Sequence, residues 1–515
     1  MSQRSPRPAT AVGVLDGVSS VQIDGAGSLR TAEIELQWWI GAEDRWHRPE
    51  REVAVRRELL DGAPVVQTLL RIPGGDARVN GYGAVVAGRE WTVLEVHNDS
   101  RTPVAVALVA RSVAAVTERS WRPDGARLWC NGSVLLVANR PADGFGAAAG
   151  PEELAALLGE ATGDGPVAAD HPTTAGAVAM VFAVAHGTGI RVLVATGPVP
   201  VESRTEVSPL DAPTAEGVIR GWHRQLDARC RYRLGDDAAE LDAFERRCRL
   251  LLSRDASAPA DISALAAFGH GPEAARRLDV ALSELRPPVE ADRAAALLVA
   301  ASDVVAWALD DTEAAQLAAL LAGPVLELAG WARQGPRRWG RRRDPIAPTS
   351  LLADWAAQRL LGRHAEAVAE PDGPQPDVAT AQAVAAHRAT TMATDGDGAA
   401  LLALRFGLVD DDGVAGPDLL AGWQPSWRGR ALEAHGLPTA FGSLAFALRW
   451  HGARPALLWE LAGAVPSRVT ATGGPTVRAN RLDPAFASDL RQGEALLAEP
   501  PAHPATATDA TGAAR

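Results

Sequence analysis

Apolar and polar positions alternate in short runs from about residue 12 to residue 207. The runs VGVLDGVSSVQI, EIELQWWI, EVAVRRELL, PVVQTLLRI, REWTVLEVHN, PVAVALVARSVAAV, ARLWCNGSVLLVAN, AVAMVFAVAHG and GIRVLVATG are rich in β-branched residues and bounded by turn formers. Asp61-Gly62, Gly74-Gly75, Asn98-Asp99 and Asn131-Gly132 stand between such runs as turn signals. So many strands at this spacing predict a sandwich of two large antiparallel sheets. The stretch 141–176 interrupts them, and PEELAALLGE within it reads as one short surface helix.

From about residue 215 the period changes. Val218, Trp222 and Leu226 follow at four-residue spacing and mark one apolar helical stripe. Leu241, Phe244, Cys248, Leu251 and Leu252 mark a second. Further helices are expected at 272–285, 290–309, 312–334, 349–369, 377–392, 397–407 and 415–422, with proline-containing loops at 286–288 and 335–348. No short fixed-period repeat is present, so paired antiparallel helices fit better than a solenoid. Strand pattern returns near residue 436, in SLAFALRWHG, RPALLWELAG, SRVTATG and GEALLA. The expected class is multidomain α+β. Its parts are a tail at 1–11, a β sandwich at 12–210, a linker helix at 211–233, a helical domain at 234–435, a small β domain at 436–500 and a tail at 501–515. Both tails have the polar or low-complexity composition of disorder.

Composition narrows the function classes. A net charge of −12 argues against nucleic acid as a partner. The chain has no lysine, and 15 Trp stand against 2 Tyr. An indole face stacks well on a sugar ring, but GC-rich coding also raises Trp, Arg, Ala and Gly together. No apolar run approaches the length of a membrane span, and the basic N-terminus lacks the apolar core of a secretory signal. Cys130, Cys230 and Cys248 are an odd set without metal spacing, which fits reduced cysteines. A soluble cytoplasmic protein is the expectation.

Several clusters could carry chemistry. Asp303 is an isolated acid in the apolar stretch LLVAASDVVAWALDD, beside Trp307 and two turns from Asp310. Such a setting raises a carboxyl pKa, although Asp292, Asp303 and Asp310 could instead form a solvated stripe. Asp354 beside Trp355 is similar. GWQPSWRGRALEAHG packs Trp423, Trp427, Arg428, Arg430, Glu433 and His435 together. This grouping suits a polyhydroxylated ligand, or else a domain junction stapled by tryptophan. A second group, QWWIGAEDRWHRPE, combines Trp38, Trp39, Glu43, Asp44, Trp46 and His47, with at least one tryptophan facing inward. The arginine run 337–343 fits an anion site or a solvated loop. The acidic turns at 394–398 and 409–413 lack the spaced ligands of a calcium loop, so no metal and no cofactor is expected.

Three stretches carry a resemblance. REWTVLEVHNDSRTPVAVALVAR (89–111) is similar to a strand pair in the β domain of the six-hairpin glycosidases, the (α/α)6-barrel glycoside hydrolases. GVIRGWHRQLDARCRYRLGDDAAELDAFERRCRLLL (217–252) resembles their linker helix and first barrel helix, and LPTAFGSLAFALRWHG (437–452) the entry to their terminal β domain. The resemblance implies a partial or complete (α/α) toroid and an oligosaccharide or glycoside partner. Hydrolysis would then use two carboxylates, with Asp303 and Glu433 as the candidates. Trp307, Trp423, Trp427, Arg428 and His435 would be the ligand contacts. The chain departs from the family in offering fewer helices and no recognisable Trp-x-Arg-Asp acid segment. A non-catalytic carbohydrate-binding or structural relative is therefore the alternative, and the oligomeric state stays open.

Overall fold

The computed structural model describes residues 9–500, except 16, 18, 32, 114–118, 161–172, 198–206, 228, 236–237, 253–256, 287–288, 308–350, 353–355, 357–377, 395, 412–415 and 464–474. The chain divides into two compact units, 1–224 with 252–255, and 225–251 with 256–515.

The first unit holds two antiparallel sheets. One runs in the order Thr10–Gly13, Ser20–Ile23, Leu29–Arg30, Ile34–Gly41, Val104–Ser112, Ala177–Val184 and Gly144–Ala148, with Trp46–His47 paired beside Ile34–Gly41. The other runs Thr173–Ala175, Arg119–Asp124, Arg127–Cys130, Ser133–Ala138, Gly189–Ala195, Arg89–Asn98, Gly75–Val86, Val65–Ile72 and Val55–Leu59. Leu36, Leu108 and Met180 from the first sheet share one core with Val66, Leu94 and Val192 from the second. The two inner faces therefore pack on each other, as the alternation predicts.

Turns follow the local chemistry. Asn131 and Gly132 both take positive φ, 49° and 81°, and close the hairpin between Arg127–Cys130 and Ser133–Ala138. Asn98 is buried, and its side chain explains the Asn-x-Ser motif. Its Oδ1 accepts from the Ser100 N–H at 3.0 Å, while its Nδ2 donates to the carbonyls of Thr102 and Val184 at 2.8 and 3.2 Å. Helix α1, Pro151–Glu160, does more than lie on the surface. It buries Leu154 and Leu158 on Trp39, which points away from the sandwich interior. Trp38 and Trp39 are thus both buried, one on each face of their strand.

Helix α2, Ala215–Asp227, buries Ile219 and Trp222 and gives way to a strand, Arg231–Leu234. The second unit continues through α3, Ala238–Leu252; α4, Pro259–Ala267; α5, Gly271–Ser283; α6, Ala291–Ala306; α7, Val378–Met392; and α8, Asp397–Leu408. Helix α4 packs against α5, α6 and α8, and its residues Ile262–Ala267 are all buried. A helix apolar all round gives no amphipathic stripe, so the sequence pattern does not reveal it. The helix expected at 415–422 is instead the two-residue strand Asp418–Leu419 and a turn with Leu420 at φ 56°. Gly416 and Pro417 deny the segment a helical start.

A five-stranded sheet follows the order Arg231–Leu234, Leu432–Thr439, Gly442–His451, Arg454–Ala462 and Gln492–Leu496. The linker thus supplies an edge strand to the C-terminal sheet, paired in the register Arg231 to His435 and Arg233 to Glu433. Gly442, at φ 118°, closes the Pro-Thr-x-x-Gly turn. A Cβ there would meet the Ala462 carbonyl oxygen, so only glycine fits. A small four-stranded sheet joins Val409–Asp410, Asp418–Leu419, Val477–Arg478 and Ala487–Ser488. The helix expected at 312–334, most of that at 349–369, the strand at 467–473, the arginine run 337–343, Asp310, Asp354 and Trp355 lie outside the described residues. No helix among the described residues is long and apolar enough to cross a membrane.

Candidate functional site

Two cavities in the second unit hold the titratable groups of interest. The larger, about 510 Å³, opens between α4, α6, α7 and α8. Asp303 lines it from the last turn of α6, a segment in which every residue from Leu297 to Ala306 is buried. Asp303 itself is 5% exposed. His387 and the hydroxyl side chains Thr390, Thr391 and Thr394 line it from α7 and its end. Burial pushes the His387 imidazole below its ordinary pKa, and the nearby Asp303 carboxylate pulls in the opposite direction. Arg388 is anchored at this wall: its Nη1 donates to Asp410 at 2.5 Å, and its guanidinium lies 4.3 Å over the Phe406 ring.

The arrangement offers one buried carboxylate, one imidazole held toward its neutral form and a row of hydroxyls. That set can donate and accept several hydrogen bonds to a hydroxyl-rich molecule. A second carboxylate of the same cavity, Asp292, sits in the first turn of α6. Eleven residues of helix separate it from Asp303, a rise of about 16 Å, whereas hydrolysis across a glycosidic bond needs roughly 5–10 Å.

Glu433 and His435 line the other cavity, of about 360 Å³. The structure therefore brings Glu433 and His435 together and puts Asp303 on a different cavity wall. Glu433 is engaged by Arg449 and stands 3.5 Å from the His435 Nε2. The other expected contacts line neither of these cavities. Trp307 is 1% exposed and forms the C-cap of α6, its N–H donating to the Asp303 carbonyl at 2.9 Å. It packs 6.3 Å from the Phe406 ring, and the Arg405 guanidinium lies 5.1 Å over it. Trp423 is 7% exposed and sits against Trp427 and Trp450, with centroids at 6.1 and 5.9 Å. Trp450 Nε1 in turn donates to the Arg430 carbonyl at 2.8 Å. These rings staple the 423–430 segment to the strand Gly442–His451. Arg428 is exposed and pairs with Glu499.

The cluster at 37–50 is likewise structural. Trp39 stacks under Arg48 at 4.6 Å, and His47 lies between Asp44 at 2.9 Å and Glu52 at 3.3 Å. His387 and the three threonines carried no expectation from sequence. The spacing Thr390, Thr391 and Thr394 after His387, on one helix and its end, was the available signal. No group of three or more His, Cys, Asp or Glu among the described residues is placed to hold a metal ion.

The chain matches no protein-family model and no curated protein. Among the solved structures it matches is a bacterial glucoamylase in complex with acarbose, at 10% identity and a TM-score of 0.45, over 76% of this chain and 68% of that one. So distant a likeness says nothing about the residues of the site.

Proposed function

We propose that this is a carbohydrate-binding protein of glycosidase-like build, whose second unit forms a partial or complete (α/α) toroid. Its ligand is an oligosaccharide or glycoside seated in the larger cavity. One observation carries the reading: the buried Asp303 carboxylate and the His387 imidazole face the same space, rimmed by threonine hydroxyls. A volume of about 510 Å³ falls in the range of small-molecule sites and admits one or two sugar rings. Binding without turnover fits better than hydrolysis, because the described residues put no second carboxylate across this cavity from Asp303 at the required separation.

Calorimetric titration against a glycan panel tests the proposal, with Asp303→Asn as the matched variant. Binding should weaken by roughly 10- to 100-fold in the variant, as expected for loss of a charge-assisted hydrogen bond. If no glycan binds the wild-type protein, the reading fails. Release of nitrophenol from aryl glycosides by the wild type, abolished in Asp303→Asn, would instead make the protein a hydrolase.

A further inference from the structure

The smaller cavity is built differently from the one just assigned. Its walls come from the strand Arg231–Leu234, from α3 and from the loop before α5. Tyr232 packs edge to face on Phe244 and Phe268, which are tilted against each other, with centroids 5.0–5.4 Å apart. Cys230 and Cys248, neither of them in a disulfide, complete the apolar lining.

Two polar groups are set into that lining. His270 is 2% exposed, and its Nδ1 has no hydrogen-bond partner. It is the N-cap of α5 yet makes no side-chain capping bond. A buried imidazole nitrogen without a partner costs free energy unless something supplies one. Tyr232 is 5% exposed, and its buried hydroxyl lies against the Cys230 thiol, a weak partner for a phenol.

Every one of these groups is held uncharged. Burial, then the charge of Arg229, brings His270 down to about 3. Burial pushes the Cys230 thiol up to about 12 and Tyr232 well above its ordinary value. None of the charged residues that line this space is fully buried. Arg229, beside His270, and the buried Arg405, near Cys230 and Tyr232, act on it from outside the lining, and an ion entering it would lose its hydration. Two of the charged residues at the rim have partners near it. Glu433 is held by Arg449, and both guanidinium Nε and Nη2 of Arg231 donate to the Asp227 carbonyl.

We propose that this cavity is a binding site for a small neutral aromatic molecule carrying one O–H or N–H group, of the phenol or indole class. The ring fits between the aromatic edges and the sulfur atoms, both of which favour contact with a π-system. The polar edge meets His270 Nδ1 and the Tyr232 hydroxyl. A volume of about 360 Å³ is near the lower end for ligand sites and suits one or two fused rings.

The test uses the full-length protein with phenol and indole as probes. Titration calorimetry should show saturable one-to-one binding of at least one of them. Tyr232→Phe removes one hydroxyl and should weaken binding about 5- to 10-fold; His270→Ala should weaken it at least as much. Asp303→Asn, in the other cavity, should leave it unchanged. Should His270→Ala fail to fold, thiol footprinting still locates the ligand. Saturating probe should slow maleimide modification of Cys230 and Cys248 while leaving Cys130, in the sandwich, at its own rate. Absence of saturable binding overturns the proposal. So does binding indifferent to Tyr232→Phe, or protection that falls equally on Cys130.

Discussion

Two sets of buried polar groups, one in each unit, have different surroundings. In the sandwich, the buried carboxylates are closed off by arginine. Glu35 accepts from Arg30 and Arg111 at 2.8 and 2.7 Å and from Gln37 at 2.8 Å. Glu95 accepts from Arg191 at 2.6 Å, and its Oε1 shares the Tyr82 hydroxyl, at 2.7 Å, with the Pro213 carbonyl at 2.8 Å. In the second unit, Asp303 and His387 line one cavity and His270 and Tyr232 another. A satisfied buried network rigidifies a fold, whereas a polar group facing a cavity is available to a ligand. The contrast separates structure-bearing from ligand-facing groups without reference to any motif.

The largest expected effect comes from breaking a closed network. Glu95→Ala leaves Arg191 half-buried without its carboxylate and deprives Tyr82 of one acceptor. Removing one partner of a buried ion pair costs about 3–5 kcal/mol. Chemical denaturation should show a loss of this size, with glycan binding in the other unit retained by the folded fraction. A loss below about 1 kcal/mol would mean that the sandwich network is dispensable and the contrast empty.

A smaller effect, of known sign, belongs to His270. Its imidazole binds a proton at its ordinary pKa when unfolded and at about 3 when folded. Between these values the unfolded chain holds a proton that the folded chain refuses. Stability is therefore fullest above about pH 6.5 and falls as pH drops toward 3. At about 1.4 kcal/mol per unit, the loss between pH 7 and pH 5 is about 2 kcal/mol from this group. Denaturation at both pH values, in wild type and His270→Gln, isolates the term. An identical pH slope in the two proteins would show that His270 is not held neutral by its surroundings.

The same contrast explains what was legible in the chain. Strands such as Arg89–Asn98 and the turn at Asn131-Gly132 read clearly, because alternation and turn chemistry are local properties. Of the adjacent tryptophans of Ile34–Gly41 at least one read as core; in the fold both are buried, Trp38 on the inner face and Trp39 on the α1 side. Helix α4 is silent, because burial on all sides erases the period. The strand Arg231–Leu234 hides behind α2, because four residues are too few for a pattern to emerge. Asp303 was visible as an acid alone in an apolar helix. His387 and His270 were not, since a single histidine carries no periodic signal and its cavity is assembled from elements distant in sequence. Tryptophan density marked residues 423–430, where in the fold Trp423 packs on Trp427 and Trp450.

That last point yields the smallest expected effect. Arg428 stands in the Trp- and Arg-rich segment that pattern alone would assign to a ligand. In the fold its side chain is 38% exposed and pairs with Glu499, itself 56% exposed. Two solvated ions gain little Coulomb energy from each other, and holding two long side chains in one geometry costs entropy. Arg428→Ala should therefore shift stability by less than about 1 kcal/mol, and the shift should shrink further in high salt. It should leave glycan affinity unchanged, since Arg428 lines neither of the two cavities. The decisive comparison is with Asp303→Asn in the same titration. If Arg428→Ala weakens glycan binding as strongly as Asp303→Asn does, the ligand extends over the 423–430 segment. The division between closed pairs and cavity-facing groups would then no longer locate the site.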